Sequence, residues 1–234
     1  MEDARPGPRT AWPRRQSLWW LMVGLGSGPA AAQTVEPPAP AARDVTLAGG
    51  DLGAVLPVGA GGELTLRGGY FAGDLEIGYA QADLQFAIAG NVTVGPGYFG
   101  LFQPGTPERP SPRDHRARAS VNVRLPVGRG ALVVHRSLVE YRFRERASGW
   151  RYRPLVRLEG PVRLGRREVV PYVQAEPFFD FDLDRVTRTP VQVGMRVPVA
   201  GGFALQPYYQ HEFASVGGDA DIFGVGVTFR PAAR

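Results

Sequence analysis

Residues 116–125 alternate without a break: Arg116, Arg118, Ser120, Asn122 and Arg124 fall on one parity, Ala117, Ala119, Val121, Val123 and Leu125 on the other. A period of two places the two sets on opposite faces of an extended strand, so the segment needs one wet side and one apolar side. The pattern recurs. Trp150, Tyr152, Pro154, Val156 and Leu158 oppose Arg151, Arg153, Leu155, Arg157 and Glu159, and Val191, Val193, Met195 and Val197 oppose Gln192, Gly194 and Arg196. Phe203, Leu205, Pro207, Tyr209 and Phe213 oppose Gln206, Tyr208, Gln210 and Glu212, and Phe223, Val225, Val227 and Phe229 oppose Ile222, Gly224, Gly226 and Thr228. Alternation over about ten residues matches a tilted strand crossing a bilayer and exceeds the usual length of a soluble strand.

In a soluble sandwich the polar face looks outward and is rich in Lys, Thr and Glu. Here it mixes Arg, Glu, Gln, Tyr and Gly, while the apolar face ends in Phe143, Trp150, Phe203, Phe213, Phe223 and Phe229. That inversion predicts an all-β fold, a closed antiparallel transmembrane up-and-down β-barrel with lipid-facing apolar residues, aromatic girdles and a polar interior where glycines make room. Strands are expected at 221–230, 203–213, 189–198, 168–181, 150–160, 131–146, 115–126 and 92–102. Shorter, Gly-rich ones precede them at 83–89, 74–80, 63–71 and 45–56. This makes twelve, or ten if the Gly-rich pairs merge. The parity changes between Ile77 and Tyr79 on one side of Gln81 and Leu84, Phe86 and Ile88 on the other.

With both chain ends on the periplasmic side, the short connections Pro126–Gly130 and Val199–Gly202 fall there. The longer Gln103–Asp114, Arg146–Gly149, Phe181–Arg188 and Ser215–Asp219 then fall outside. Gly160–Arg167 is longer than a tight periplasmic turn.

Residues 1–32 carry Arg5, Arg9, Arg14 and Arg15, an apolar run from Ser17 to Gly26 too short to span a bilayer, and Pro29-Ala-Ala-Ala32. This predicts a helical signal peptide cleaved after Ala32, followed by a Pro/Ala-rich linker at 33–43, the barrel at 44–230 and a short tail at 231–234. The net charge is +5, every basic residue is Arg, and removal of the leader with its four Arg, Glu2 and Asp3 lowers that charge to about +3. There is no Cys, which excludes disulfides, thiolate metal sites and cysteine nucleophiles. The Arg residues alternate with apolar neighbours and are matched by Glu, a pattern unlike the contiguous basic patch of a nucleic-acid binder.

The richest polar constellation is Glu140, Arg142, Arg153, Arg157, Glu159, Glu176, Arg196 and Glu212, all expected to point into the lumen, where neighbouring strands would stack Arg beside Glu. Such a ladder either fills and rigidifies a narrow barrel or lines it for an anionic solute. Arg144, Arg146 and Arg151, near strand ends, are expected at an outer rim where lipopolysaccharide phosphates sit. Asp180, Asp182 and Asp184, at i, i+2 and i+4, would share one face of an extended segment and form the one weak candidate for a metal, a calcium-binding loop. His135 lies near Ser137, and His211 near Glu212 and Ser215. Adjacent strand residues point to opposite faces, so His211 and Glu212 cannot act as base and orienter, and His135 with Ser137 shares an otherwise apolar face. His115, beside Asp114 at a strand mouth, reads as a loop hydrogen bonder. No catalytic residue and no cofactor is expected.

The C-terminal half resembles the bacterial outer-membrane family catalogued as domain of unknown function 2490. The resemblance rests on Asp114-His-Arg116, Leu138-Val-Glu-Tyr-Arg-Phe-Arg-Glu145, Tyr152-Arg-Pro-Leu-Val-Arg157, Val170-Pro-Tyr-Val-Gln-Ala-Glu-Pro-Phe-Phe179, Tyr208-Tyr-Gln210 and Phe223-Gly-Val-Gly-Val-Thr-Phe229, and covers about residues 83–230. It implies an outer-membrane barrel and assigns no activity. Outer-membrane chains usually end on an aromatic residue read by the assembly machinery, whereas Phe229 is followed by Arg-Pro-Ala-Ala-Arg234. The expectation is therefore a monomeric barrel of the bacterial outer membrane, structural or narrow-channel. Its partners would be membrane lipid, lipopolysaccharide and, during insertion, the barrel assembly machinery. A lipid-modifying barrel enzyme and a soluble periplasmic β protein are the alternatives.

Overall fold

The computed structural model describes residues 44–104, 113–128, 130–144, 148–215 and 217–232. The signal peptide and linker expected in residues 1–43 lie outside them, as do Arg146 and most of the Gln103–Asp114 connection. The described chain is a succession of strands: β1 (Val45–Val58), β2 (Gly62–Gly73), β3 (Ile77–Ala89), β4 (Val92–Phe102), β5 (Arg113–Val127), β6 (Ala131–Phe143), β7 (Gly149–Glu159), β8 (Val162–Leu164), β9 (Arg167–Ala175), β10 (Phe178–Asp180), β11 (Arg185–Pro198), β12 (Phe203–Ala214) and β13 (Ala220–Phe229). A single 3-10 turn, Ala200–Gly202, precedes β12. Neighbours pair antiparallel from β1 to β7 and from β11 to β13. β9 and β10 lie end to end between β7 and β11 as one stave. Pro177 occupies the break between them, where a residue without an N–H cannot serve the ladder. β13 returns to β1 and closes the ring.

Eleven staves therefore form the wall, in place of the twelve or ten expected from the sequence. The difference lies at 74–80 and 83–89, where one unbroken strand, β3, runs from Ile77 to Ala89 and pairs with β2 from Ile77 opposite Phe71 to Phe86 opposite Gly62. The backbone alternation holds from Ile77 to Phe86; what changes is the filling of the lumen. Ile77 and Tyr79 point inward into an apolar cluster with Leu47, Phe71, Phe99, Leu101 and Ile222. Phe86 and Ile88, further along the same strand, are exposed on the outside.

An odd stave count reverses one expectation about topology. β1 and β13 run parallel, with Val45 beside Ala220 and Ala54 beside Phe229, so the start of β1 and the end of β13 lie at opposite ends of the barrel. Both chain ends on one side is thus corrected. The connections 102–113, 143–149, 180–185 and 214–220 gather at the end where β1 begins, and the short connections 58–62, 89–92, 127–131 and 198–203 at the other. The long 159–167 connection at the short-turn end is largely a hairpin arm, with Val162 opposite Val169 and a turn at Gly165 (φ 62°). On intact cells, a thiol reagent that cannot pass the membrane is expected to label either Asp44→Cys or Ala232→Cys. Labelling of both from the same side would contradict the parallel closure.

The wall is apolar outside and polar inside. Leu52, Ile88, Trp150, Val156, Phe213 and Phe223 each expose more than half of their surface. Arg116, Glu140 and Glu212 expose none. In water this arrangement forfeits about 25 cal/mol for every Å² of apolar surface left outside, and in a bilayer it is the low-energy one.

Candidate functional site: a charge-filled lumen

Inward positions of β5, β6 and β7 carry eight arginines, and acidic groups from β3, β5, β6, β10 and the junction before β10 meet them. Glu140 is the hub. Arg153 Nη1 donates to its Oε2 at 3.2 Å and Arg116 Nη1 to its Oε1 at 3.4 Å, with Arg151 Nη1 3.9 Å away. Arg116 also forks onto Asp114, Nε to Oδ1 at 3.1 Å and Nη2 to Oδ2 at 3.0 Å, and Arg142 Nε reaches the same carboxylate at 3.1 Å. Arg153 Nη2 donates to Glu176 at 3.0 Å and Arg136 Nη2 to its other oxygen at 2.5 Å. Arg118 pairs with Asp83 at 2.6 Å, Arg151 with Asp180 at 3.4 Å and Arg188 with Glu212 at 3.0 Å.

The guanidinium planes also stack on inward aromatic rings. Arg116 and Arg118 lie 4.9 and 5.5 Å from the Phe99 centroid, Arg153 and Arg151 4.1 and 5.5 Å from Phe178, and Arg157 4.2 Å from Tyr172. Planar, weakly hydrated guanidinium suits such crowding in a way that ammonium does not.

Around the rest of the wall, β1, β2, β11 and β13 contribute glycines where large side chains cross. A Cβ at Gly224 would sit 2.2 Å from the Tyr208 ring, one at Gly69 2.4 Å from Tyr79, and one at Gly194 2.5 Å from the Tyr172 hydroxyl. Tyr208 in turn donates toward Asp51 at 3.5 Å, and Asp51 lies 3.4 Å from Arg67. Each of these glycines is the cross-strand partner of the ring it admits, Gly224 of Tyr208, Gly69 of Tyr79 and Gly194 of Tyr172, so charge, rings and apolar groups together occupy the lumen.

All eight residues expected in the ladder point inward, and seven are buried; Arg196 is half-buried. Their partners differ from simple cross-strand Arg/Glu stacking. Arg142 pairs with Asp114, and Arg157 pairs along its own strand with Glu159 at 3.5 Å. Arg151 is not a rim residue. It shares the parity of Arg153, is 2% exposed and bonds Asp180. Arg144 does lie at a strand end, beside Ser148.

Asp180, Asp182 and Asp184 do not share an extended face, because β10 stops at Asp180 and residues 181–184 form a turn. Asp180 turns inward to Arg151 and accepts the Asp182 N–H at 3.1 Å. No group of three potential metal ligands exists among the described residues. Asp114, Arg116, Arg118, Arg136, Asp180 and Arg188 belong to the network without having been singled out for it. Parity alone could have found Arg116 and Arg118.

On the outer face His135 Nε2 and Ser137 Oγ are 3.0 Å apart, and Ser137 Oγ is 3.1 Å from the Tyr152 hydroxyl. His115 contacts Tyr98 and meets the Phe102 ring edge-on, and His211 contacts Asp221 at 2.8 Å.

The profile of a family described as "Protein of unknown function (DUF2490)" matches residues 57–222. A search of curated proteins finds no match. Among solved structures, the siderophore receptor PirA from Pseudomonas aeruginosa is similar at 15% identity and a TM-score of 0.29, covering 71% of this chain. The matched region spans about a third of that receptor, 34% of its length.

Proposed function

We propose that this chain, which belongs to the DUF2490 family, is an outer-membrane barrel with a sealed lumen, serving a structural role in the envelope rather than transporting solutes. The observation that carries this is the burial of Arg116, Arg153, Glu140, Glu176 and Glu212, each no more than 1% exposed, at the level where they join. A network tied on several sides and stacked on Phe99 and Phe178 has no slack to open a path without breaking charge-assisted hydrogen bonds. The apolar exterior and the outward aromatic pairs Tyr141–Trp150 and Phe203–Phe229 support a bilayer as its solvent, with girdles at two interfaces. The longer connections face outward and Arg144 meets lipid phosphate at that rim. Phe229 packs on Phe203, and the Arg230 N–H donates to Gly202 O at 2.9 Å, so the residues after the last aromatic continue the closure.

This reading assigns no catalytic step. His135, Ser137 and Tyr152 satisfy one another on the lipid-facing wall, and no carboxylate orients His135 among the described residues. The protein is expected to fractionate with membranes and to migrate faster on a gel unheated than boiled. Recovery in the soluble fraction with no heat-dependent shift would contradict a membrane barrel.

A further inference from the structure

One hairpin outruns the wall at the short-turn end. β7 meets β9 with Glu159 opposite Tyr172, and β8 meets it with Val162 opposite Val169 and Leu164 opposite Arg167. The register is the same on both sides of Gly160-Pro161. β7 and β8 are therefore one leg, and the lipid-facing parity of Val156 and Leu158 passes unchanged to Val162 and Leu164. Support from the neighbouring staves stops earlier. β6 pairs with this leg no further than Glu159, opposite Leu132, and β11 pairs with β9 no further than Val170, opposite Arg196. Residues 162–169 pair only with one another. At a rise of about 3.3 Å per residue, Leu164 lies about 16 Å along the strand beyond Glu159.

This arm is apolar where the wall is apolar and basic at its tip. Residues 161–168 are all exposed, Val162 by 46% and Leu164 by 59%. Arg163, Arg166 and Arg167 stand against one carboxylate, Glu168, a net charge of +2. Arg163 faces Glu168 across the hairpin, which leaves Arg166 and Arg167 beside the turn at Gly165. Among the described residues no ion pair holds any of these three guanidiniums, whereas Arg116, Arg153 and Arg188 in the lumen are each tied to a carboxylate. An apolar face that runs on from a lipid-facing wall and ends in guanidiniums matches the boundary between acyl chains and phosphates, where apolar side chains dip and long basic ones reach the headgroups.

We infer that the β8–β9 arm is a docking surface for anionic phospholipid in the leaflet at the short-turn end, with Val162 and Leu164 at the acyl boundary and Arg166 and Arg167 on headgroup phosphates. Charge complementarity selects this occupant, since an anionic leaflet attracts each guanidinium and a phosphate accepts from its fork. A protein strand added to the free edge of β8 would meet three residues, Val162–Leu164, too short a ladder to hold it. The inference rests on the membrane-barrel reading and is independent of whether the lumen conducts.

Because the chain has no Cys, Leu164→Cys accepts a single environment-sensitive fluorophore. The labelled full chain is refolded into phosphatidylcholine vesicles and into vesicles of equal parts phosphatidylcholine and phosphatidylglycerol. Both leaflets then carry the same lipid, so the direction of insertion does not affect the result. At low salt the emission is expected to shift to the blue in the anionic vesicles and to return toward its aqueous maximum in concentrated salt. Arg166→Gln and Arg167→Gln, carrying the same label, are each expected to lower the ratio of bound to free arm about fivefold, the factor for taking one guanidinium off an anionic surface. Val162→Cys is the second labelling site if Leu164→Cys does not refold. A chain that floats with the vesicles but emits identically in both lipids, or a blue shift that both glutamine variants keep in full, would overturn the docking surface and leave the barrel standing. A chain that does not float would overturn both.

Discussion

Glu140→Ala is expected to destabilise the barrel by about 3–5 kcal/mol, the range for removing one partner from a buried charge pair. Its carboxylate has no exposed surface and lies within 4 Å of guanidinium nitrogens from Arg116, Arg151 and Arg153. Each of those arginines keeps a second carboxylate, Asp114, Asp180 or Glu176. The network therefore loses its centre, not its periphery, and three cations face one another across the gap. Glu140→Gln retains hydrogen-bond acceptance without the charge and should fall between Ala and the parent. Urea unfolding of the three proteins in lipid vesicles measures the order. A Glu140→Ala midpoint equal to that of the parent would show that the network carries no stability.

The second large effect comes from a glycine. Gly224→Ala puts a methyl group 2.2 Å from the Tyr208 ring, and the ring has little freedom, being buried with its hydroxyl toward Asp51. Overpacking of this kind costs about 1–3 kcal/mol. The test lies in the pair. In a Tyr208→Ala background the added methyl has space, so Gly224→Ala should become nearly neutral, giving a coupling of about 1–3 kcal/mol between the two sites. Additive effects would mean that Gly224 is required for its backbone and not for the room it gives Tyr208.

The strand alternation was legible in the sequence, and so was its inversion, because both follow from a period that the backbone imposes on every stave. Arg153, Arg157, Glu140, Glu176 and Glu212 could be placed in the lumen by parity alone. Parity misleads where the lumen filling changes character. Ile77 and Tyr79 look like lipid-facing residues because they are apolar, yet they face inward to meet Phe71 and Phe99. This made one strand look like two and turned eleven staves into twelve.

Arg151 was misplaced for a related reason. Its place near a strand end suggests the rim, whereas the parity it shares with Arg153 and the reach of Asp180 from β10 hold its guanidinium inside. The carboxylates at 180, 182 and 184 could not be placed by spacing at all, since spacing assumes an extended chain and the strand ends at Asp180. Partner choice within the lumen, such as Asp114 for Arg142, depends on side chains reaching across staves remote in sequence. Local pattern does not encode that.

The central claim is that the lumen is closed, and ion conductance across a planar bilayer tests it most directly. The refolded full chain is expected to give little or no steady current, as the proposed sealing of the lumen by the Glu140 network and the Phe99 and Phe178 rings requires. A large, stable conductance with anion selectivity from the intact protein would contradict the sealed lumen and make the arginines the lining of an open channel.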